Sequence, residues 1–391
     1  MIKPFQFARL PKIYFGIGKI ADLPGIIKVY GKKIVLVTGK NSFIQSQHAE
    51  KLFYDFEKAD IGYYLINIPG EPSSEIIDGA VKRLNGEDIK VVVGIGGGSV
   101  LDAGKAISAM IYKKESVKDF LETVGNKEHP GTKIPFIALP ATSGTGSEAT
   151  KNAVISQIGK NGFKKSLRHD NFVPDVAIID PELTLQCPQE ITAASGMDCF
   201  TQLTESYLSD KSNEYTDALA IEGIKAIKAS LIRSYIHGED IEARTDMSFA
   251  ALTSGICLAN AGLGVVHGFA ASLGGMYNIP HGVICGTLLA ISNEINVREL
   301  KRKSNNPVAL KKYALLGELF LDEKGKPDDY YIDGFIRYLH KLTHDFHVPG
   351  LKKYGLEEKN IELICSKTEI KNNPVKLAPE DLIEIISNRL Y

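Results

Sequence analysis

The chain has 391 residues, 44 % of them hydrophobic and 24 % charged, with 46 basic against 47 acidic side chains and a net charge of −1. These proportions exclude a disordered, collagen-like or coiled-coil chain, and the charge balance gives no electrostatic case for a nucleic-acid or membrane partner. At about 150 residues per domain, the length suggests two or three domains.

The stretch Met1 to Ile20 carries charges and prolines where a secretory leader would be uninterrupted and apolar. Beyond it, the first half alternates short apolar runs with helical patterns. Strands are predicted at Lys33–Thr38, Gly62–Ile68, Val91–Ile95, Ile134–Leu139 and Val176–Asp180. Most are rich in Val and Ile and apolar on both faces, as parallel strands covered by helices are. Helical patterns such as Glu75–Leu84 and Leu101–Tyr112 lie between them. After Pro188 the strand signals stop. Long helical patterns follow at Glu190–Ser209, Asn213–Ile236, Ile241–Ala261 and His281–Ile295, and again from Asp328 onward. The expected fold is therefore an α/β domain with a parallel sheet over residues 1–185, then an all-helical domain over 186–391. Five cysteines, Cys187, Cys199, Cys257, Cys285 and Cys365, are widely spaced with no CxxC pair. This argues against a disulfide framework or a zinc-thiolate site and for a reducing, cytoplasmic setting.

Two glycine-rich loops follow predicted strands. In VVVGIGGGSVLDAGK (Val91–Lys105), Gly96, Gly97 and Gly98 precede a helix, where a phosphate meets bare backbone and free N–H groups. Ser99 and Asp102 have the spacing of a capping box. Neither the Walker A pattern nor a complete G-x-G-x-x-G is present. In LPATSGTGSEAT (Leu139–Thr150), hydroxyls at Thr142, Ser143, Thr145 and Ser147 flank Gly144 and Gly146, suiting a diphosphate or a nicotinamide amide. Ligands of open parallel sheets bind at this carboxyl edge.

The segment Met247–Asn293 contains no Asp, Glu, Lys or Arg but holds His267 and His281. Its polar and glycine interruptions argue for buried helices rather than a membrane span. Upstream, Asp198 and Gln202 are four residues apart on one helical face. Together with the two histidines they would form an oxygen and nitrogen site for Fe²⁺ or Zn²⁺; hydrogen-bonded core histidines are the plainer reading. A rival trio, His340, His344 and His347, lies among charged residues and reads as a solvated helix face.

Taken together, GGGSVLDAGKAI, LPATSGTGSEAT, DPELT, SGMDCFTQLTESY, GLGVVHG and IPHGV resemble the iron-containing (group III) alcohol dehydrogenases over residues 10 to 370. The resemblance implies the dehydroquinate-synthase-like fold, NAD(P)-dependent interconversion of an alcohol with an aldehyde or ketone, a metal in the cleft, and a homodimer. It puts the diphosphate on Gly96, Gly97, Gly98 and Ser99, with Asp102 after them, and the nicotinamide on Thr142, Thr145 and Ser147. It puts Lys165 near the cofactor and Leu183 beside the adenine. Metal ligands fall on Asp198, His267 and His281, with Gln202 where the family usually has histidine; His267 and His281 are the catalytic candidates. A second family histidine is replaced by Ala271. After the strand at 33–38, Gly39 stands where NAD-specific relatives carry aspartate, followed by Lys40 and Ser42, which favours NADP(H). Removing that aspartate removes a repulsion of about 4 kcal/mol with a 2′-phosphate at 4 Å and an effective dielectric near 20. Alternatives are a metal-independent reductase of the maleylacetate-reductase type, a lyase or polyol-phosphate dehydrogenase on the related fold, and a nucleotide-binding protein with a decayed site. The substrate pocket is expected to draw on parts of 150–165 and 255–281.

Overall fold

The computed structural model describes residue 2, residues 4–159 and residues 162–391. Six parallel strands form one sheet: β1 (Lys12–Phe15), β2 (Lys33–Gly39), β3 (Gly62–Ile68), β4 (Val91–Gly96), β5 (Phe136–Pro140) and β8 (Val176–Ile179), in the order β1-β8-β5-β4-β2-β3. All five predicted strands are present, with ends moved by one or two residues. The inner strands β4 and β5 are buried along their whole length, which their unbroken apolar composition requires. Helices α1 (Leu23–Tyr30), α2 (Gln47–Lys58), α3 (Ser74–Arg83) and α4 (Gly98–Met110) cover the sheet. Ser46 and Ser73 cap α2 and α3 by accepting backbone N–H groups.

The chain runs from β2 to β3 on one side and then crosses back to β4 on the other, so β2 and β4 flank a topological switch point. Gly39 ends β2 there and Gly96 ends β4, and the register sets Gly96 beside Pro140 at the end of β5. Three loops therefore share one carboxyl edge, where such sheets bind ligands.

Three strands escaped the sequence reading. β1 is a four-residue edge strand. β6 (Asn152–Gln157) and β7 (Phe163–Arg168) form a separate antiparallel hairpin. The composition of β7, FKKSLR, has no apolar run to announce a strand.

The rest of the described chain is helical: α5 (Gln189–Leu208), α6 (Glu214–Ile236), α7 (Ile241–Ala261), α8 (Val265–Met276), α9 (His281–Lys303), α10 (Pro307–Leu321), α11 (Asp328–Asp345), α12 (Ile361–Lys367) and α13 (Pro379–Ser387). One large apolar core joins them. No single helix among the described residues is long and apolar enough to cross a membrane, and the α7–α8 pair bends by 98°. The charge-free segment is thus interior helix. Gly286 against Met197 and Gly282 against the Ala194 carbonyl let α9 approach α5 closely, since a Cβ at either position would crowd the facing helix.

The loop after β5 is pinned from both sides. Lys105, on α4 and 1 % exposed, donates to the Ser147 carbonyl (2.9 Å), the Ser147 hydroxyl (3.0 Å), the Thr150 hydroxyl (3.3 Å) and the Asn152 carbonyl. Ser147 in turn donates to Asp102 at 2.5 Å. On the other side, a Cβ at Gly144 would strike Ser195 of α5 at 2.9 Å, and one at Gly146 would strike Gly255 of α7 at 2.5 Å. Gly146 also has φ +61°, a conformation glycine adopts without strain.

Burial lowers the Lys105 pKa to about 8 and raises that of the neighbouring Glu148 to about 7. Lys105→Met leaves the buried Asp102 without its cation. It should destabilise the fold by about 3–5 kcal/mol, read as a lowered unfolding midpoint. For Glu148 the folded pKa lies above the unfolded one, so its contribution is intact below about pH 4.5 and is lost as pH rises to about 7. The midpoint of Glu148→Gln should therefore gain on the unsubstituted protein across that interval; a constant difference would contradict the assignment.

Candidate active site

Asp198, on α5, is 2 % exposed. Its Oδ1 lies 3.3 Å from His267 Nε2 and 3.6 Å from His281 Nε2, and these three donors with Cys285 Sγ all lie within 4.8 Å of one another. His267 sits in the first turn of α8, and His281 opens α9. Cys285 follows His281 by one helical turn and so shares its face.

The electrostatics follow from this packing. Burial alone would raise the Asp198 carboxyl, but the two imidazoles outweigh it and hold it at about 2. Burial pushes His281 down to about 4, with the positive charge of Lys164 adding to the effect. His267 is instead raised well above its ordinary value. Burial opposes this, but Cys285, Asp198 and Glu205 prevail.

Glu205 was not legible as a site residue. It lies on the face of α5 that carries Asp198 and Gln202, accepts from His267 Nδ1 at 2.7 Å, and accepts from the Val266 backbone N–H at 2.7 Å. A carboxylate on the far nitrogen fixes an imidazole's tautomer and turns the near nitrogen towards a cation. The spacing 198, 202, 205 along one helix was the available signal.

Several expected residues have other roles. Gln202 is beside the cluster, but its carbonyl oxygen accepts from the Ser254 hydroxyl at 3.1 Å and its amide donates to Asp198 at 3.3 Å. It is thus also a hydrogen-bond partner of the aspartate, and Cys285 adds a sulfur to the other three donors. The capping box fails: Gly97 is the N-cap of α4, no side chain caps it, and Ser99 already lies in the first turn. Asp102 accepts from Ser147 at 2.5 Å and from the Val154 N–H at 3.1 Å. Lys165 pairs with Glu369 at 3.9 Å. Alternation along β7 puts its neighbour Lys164 on the other face, 3.0 Å from Glu71 and within electrostatic reach of His281.

The remaining loop residues do converge. A Cβ on Gly97 would meet the Thr142 hydroxyl at 3.3 Å, and one on Gly98 would meet Thr145 at 2.8 Å, so the two glycine-rich loops touch only because these positions lack side chains. The uncapped start of α4 leaves amide groups for an anion. Lys40 and Ser42 are exposed beyond Gly39, and Leu183 is half-buried against the sheet core. Glu71 pairs with Lys164; Gln202 reaches Ser254, which also faces the Gly144 carbonyl at 3.3 Å. One polar chain, through Gln202 and Ser254, thus links the donor cluster to the loop after β5. His340, His344 and His347 are exposed, with His340 on Glu294 and His344 beside Asp345, as a solvated face requires. Within the segment 150–165, Lys160 and Asn161 lie outside the described residues.

The group offers one carboxylate oxygen, two imidazole nitrogens and one sulfur at mutual distances that a divalent cation spans, so its chemistry fits a metal. The uncapped helix and bare glycines fit a dinucleotide.

Comparison with known proteins agrees with this chemistry. Residues 11–181 match the family model "Iron-containing alcohol dehydrogenase", and residues 192–390 match "Fe-containing alcohol dehydrogenase family, C-terminal". Alcohol dehydrogenase 4 of Saccharomyces cerevisiae is 31 % identical over 385 residues, 96 % of each chain. The NADPH-dependent butanol dehydrogenase of Clostridium saccharobutylicum is 30 % identical, covering 90 % of this chain and 88 % of that one. A solved variant of an archaeal halo-thermophilic alcohol dehydrogenase from a Red Sea brine pool superposes with a TM-score of 0.90 at 26 % identity, covering 100 % of this chain and 99 % of the other. The chain belongs to the iron-containing alcohol dehydrogenase family.

Proposed function

We propose that the protein is an NADP(H)-preferring alcohol dehydrogenase or aldehyde reductase whose active centre is the cluster of Asp198, His267 and His281. The juxtaposition of that cluster with the two glycine-rich loops carries the reading. A dinucleotide bound at the switch point would supply or accept hydride at its nicotinamide C4. A divalent cation, Fe²⁺ or Zn²⁺, held by Asp198, His267 and His281 would supply a Lewis acid for the carbonyl oxygen.

The chain's own residues position and insulate. The amides at Gly97 to Ser99 bind diphosphate, and Thr142 and Thr145 hold the ring side of the dinucleotide against the cluster. Asp198 is kept ionised by the flanking imidazoles, and Glu205 aims His267. Much of the rate gain then comes from holding two reactants in contact. Ala271, exposed one turn after His267, offers no proton, so water or a cofactor ribose hydroxyl delivers the one that completes reduction. The uncharged wall of Met247–Asn293 suits a neutral alcohol or aldehyde.

A homodimer fits the exposed edge of the sheet. β1 pairs only with β8 among the described residues, and Leu10, Ile13 and Phe15 are exposed beside Phe249. An edge of that kind pairs readily with a second copy. The five free cysteines suit a reducing, cytoplasmic compartment.

With 4-deuterated NADPH and an aldehyde, the product alcohol should carry the label on its carbinol carbon; an unlabelled product from active enzyme would contradict hydride transfer. A Cβ at Gly39 meets only Ser42 and Val100 at 3.7 and 3.9 Å, so aspartate fits there. Gly39→Asp should lower the NADPH/NADH preference by at least about tenfold, since a repulsion of a few kcal/mol returns. Glu205→Gln should weaken metal retention about 10–100-fold in a chelator competition, with little change in dinucleotide affinity. Sedimentation should give twice the 42.7 kDa chain mass, and Ile13→Lys should shift it towards the monomer.

A further inference from the structure

The fourth corner of the donor cluster is the least expected part of the molecule. Position 202, where the resemblance led to a histidine, is glutamine, and its carbonyl oxygen is held by Ser254. Cys285 stands in the gap. Its Sγ is 3.7 Å from His267 Nε2 and 3.8 Å from His281 Nε2.

We propose that Cys285 is a thiolate ligand of the bound cation, supplying the donor that Gln202 does not, and that it tilts the site towards Zn²⁺. The proposal rests on the metal reading given above.

The geometry can be tested against tetrahedral coordination. With bonds of about 2.0–2.1 Å to nitrogen or oxygen and about 2.3 Å to sulfur, donors at the corners lie about 3.3 Å apart for oxygen–nitrogen pairs and about 3.6 Å for sulfur–nitrogen pairs. The separations here are 3.3 and 3.6 Å from Asp198 to the two histidines, and 3.7 and 3.8 Å from Cys285 to the same nitrogens. These four of the six edges agree to within a few tenths of an ångström, and all six are within 4.8 Å. In the metal-free chain the same separations let the Cys285 thiol hydrogen-bond to the imidazoles.

Helix geometry makes the arrangement durable. His281 and Cys285 are one turn apart on α9, so both project to the same side. Gly282 and Gly286 between and after them let that side press against Ala194 and Met197 of α5, which brings it to Asp198. Gln202 keeps a role by donating to the aspartate and fixing the oxygen that faces the histidines. Binding releases the Cys285 thiol proton to solvent, and the sulfur then bonds the cation. Among divalent ions, a thiolate favours zinc over iron, which prefers harder donors.

The test uses Co²⁺ added to the metal-stripped, full-length protein. The unsubstituted protein should show visible cobalt bands and an intense sulfur-to-cobalt charge-transfer band in the near ultraviolet. Cys285→Ser should keep the visible bands, lose the ultraviolet one, and bind cobalt about tenfold or more weakly. Its preference for Zn²⁺ over Fe²⁺ in competition should also fall; an unchanged ratio would overturn the zinc tilt. Bound cobalt with no charge-transfer band in the unsubstituted protein would overturn sulfur ligation and leave the metal reading standing. Failure to bind cobalt at all would overturn both.

Discussion

A carboxylate with 2 % of its surface exposed, deep in a helical core, is the constraint around which this structure is arranged. An isolated buried charge costs far more than the net stability of a fold, so Asp198 requires positive partners or strong donors. It has the imidazole of His267, that of His281 and the Gln202 amide, all aimed at the same side. Glu205 extends the arrangement outward by holding the far nitrogen of His267. Three helices must meet to satisfy one side chain, and the glycines at 282 and 286 give α9 the approach it needs.

The same meeting point fastens the two halves of the chain. The loop after β5 is stapled to α4 by the buried ammonium of Lys105 and wedged by Gly144 and Gly146 against α5 and α7. Its hydroxyls at Thr142 and Thr145 touch the glycine triplet. Positioning of a dinucleotide and positioning of the donor cluster are thus one mechanical problem, solved by one loop. Rigid elements on both sides limit the drift between hydride donor and acceptor, and small errors in that distance are costly to rate.

Much of the fold was legible because burial writes itself into composition. KIVLVT, VVVGI and VAIID are strands covered on both faces, and the charge-free run from Met247 to Asn293 is a buried helical interior. The hairpin at β6 and β7 was not, because its buried face needs only scattered apolar residues, Ala153, Ile155 and Leu167, rather than a run; with it went the direction of Lys164 and Lys165. Asp198, His267 and His281 were found through the pattern of several motifs together, since spacing alone did not separate them from core histidines. Cys285 lay four residues after His281 in a predicted helix, but the resemblance assigned ligands elsewhere and drew attention away from it. Asp102 and Ser147 were read as cofactor contacts from their loops, and their bonds to each other and to Lys105 are visible only in the structure. Local sequence gives the donors available; which neighbour needs them most is decided by burial.

The central claim is that a divalent cation at Asp198 is required for turnover. Elemental analysis of the purified protein, read beside NADPH-dependent aldehyde reduction through graded chelation and metal replacement, tests it most directly. Turnover should fall in proportion to the metal removed and return as a single equivalent per chain is restored. Undiminished turnover by metal-free protein would contradict it.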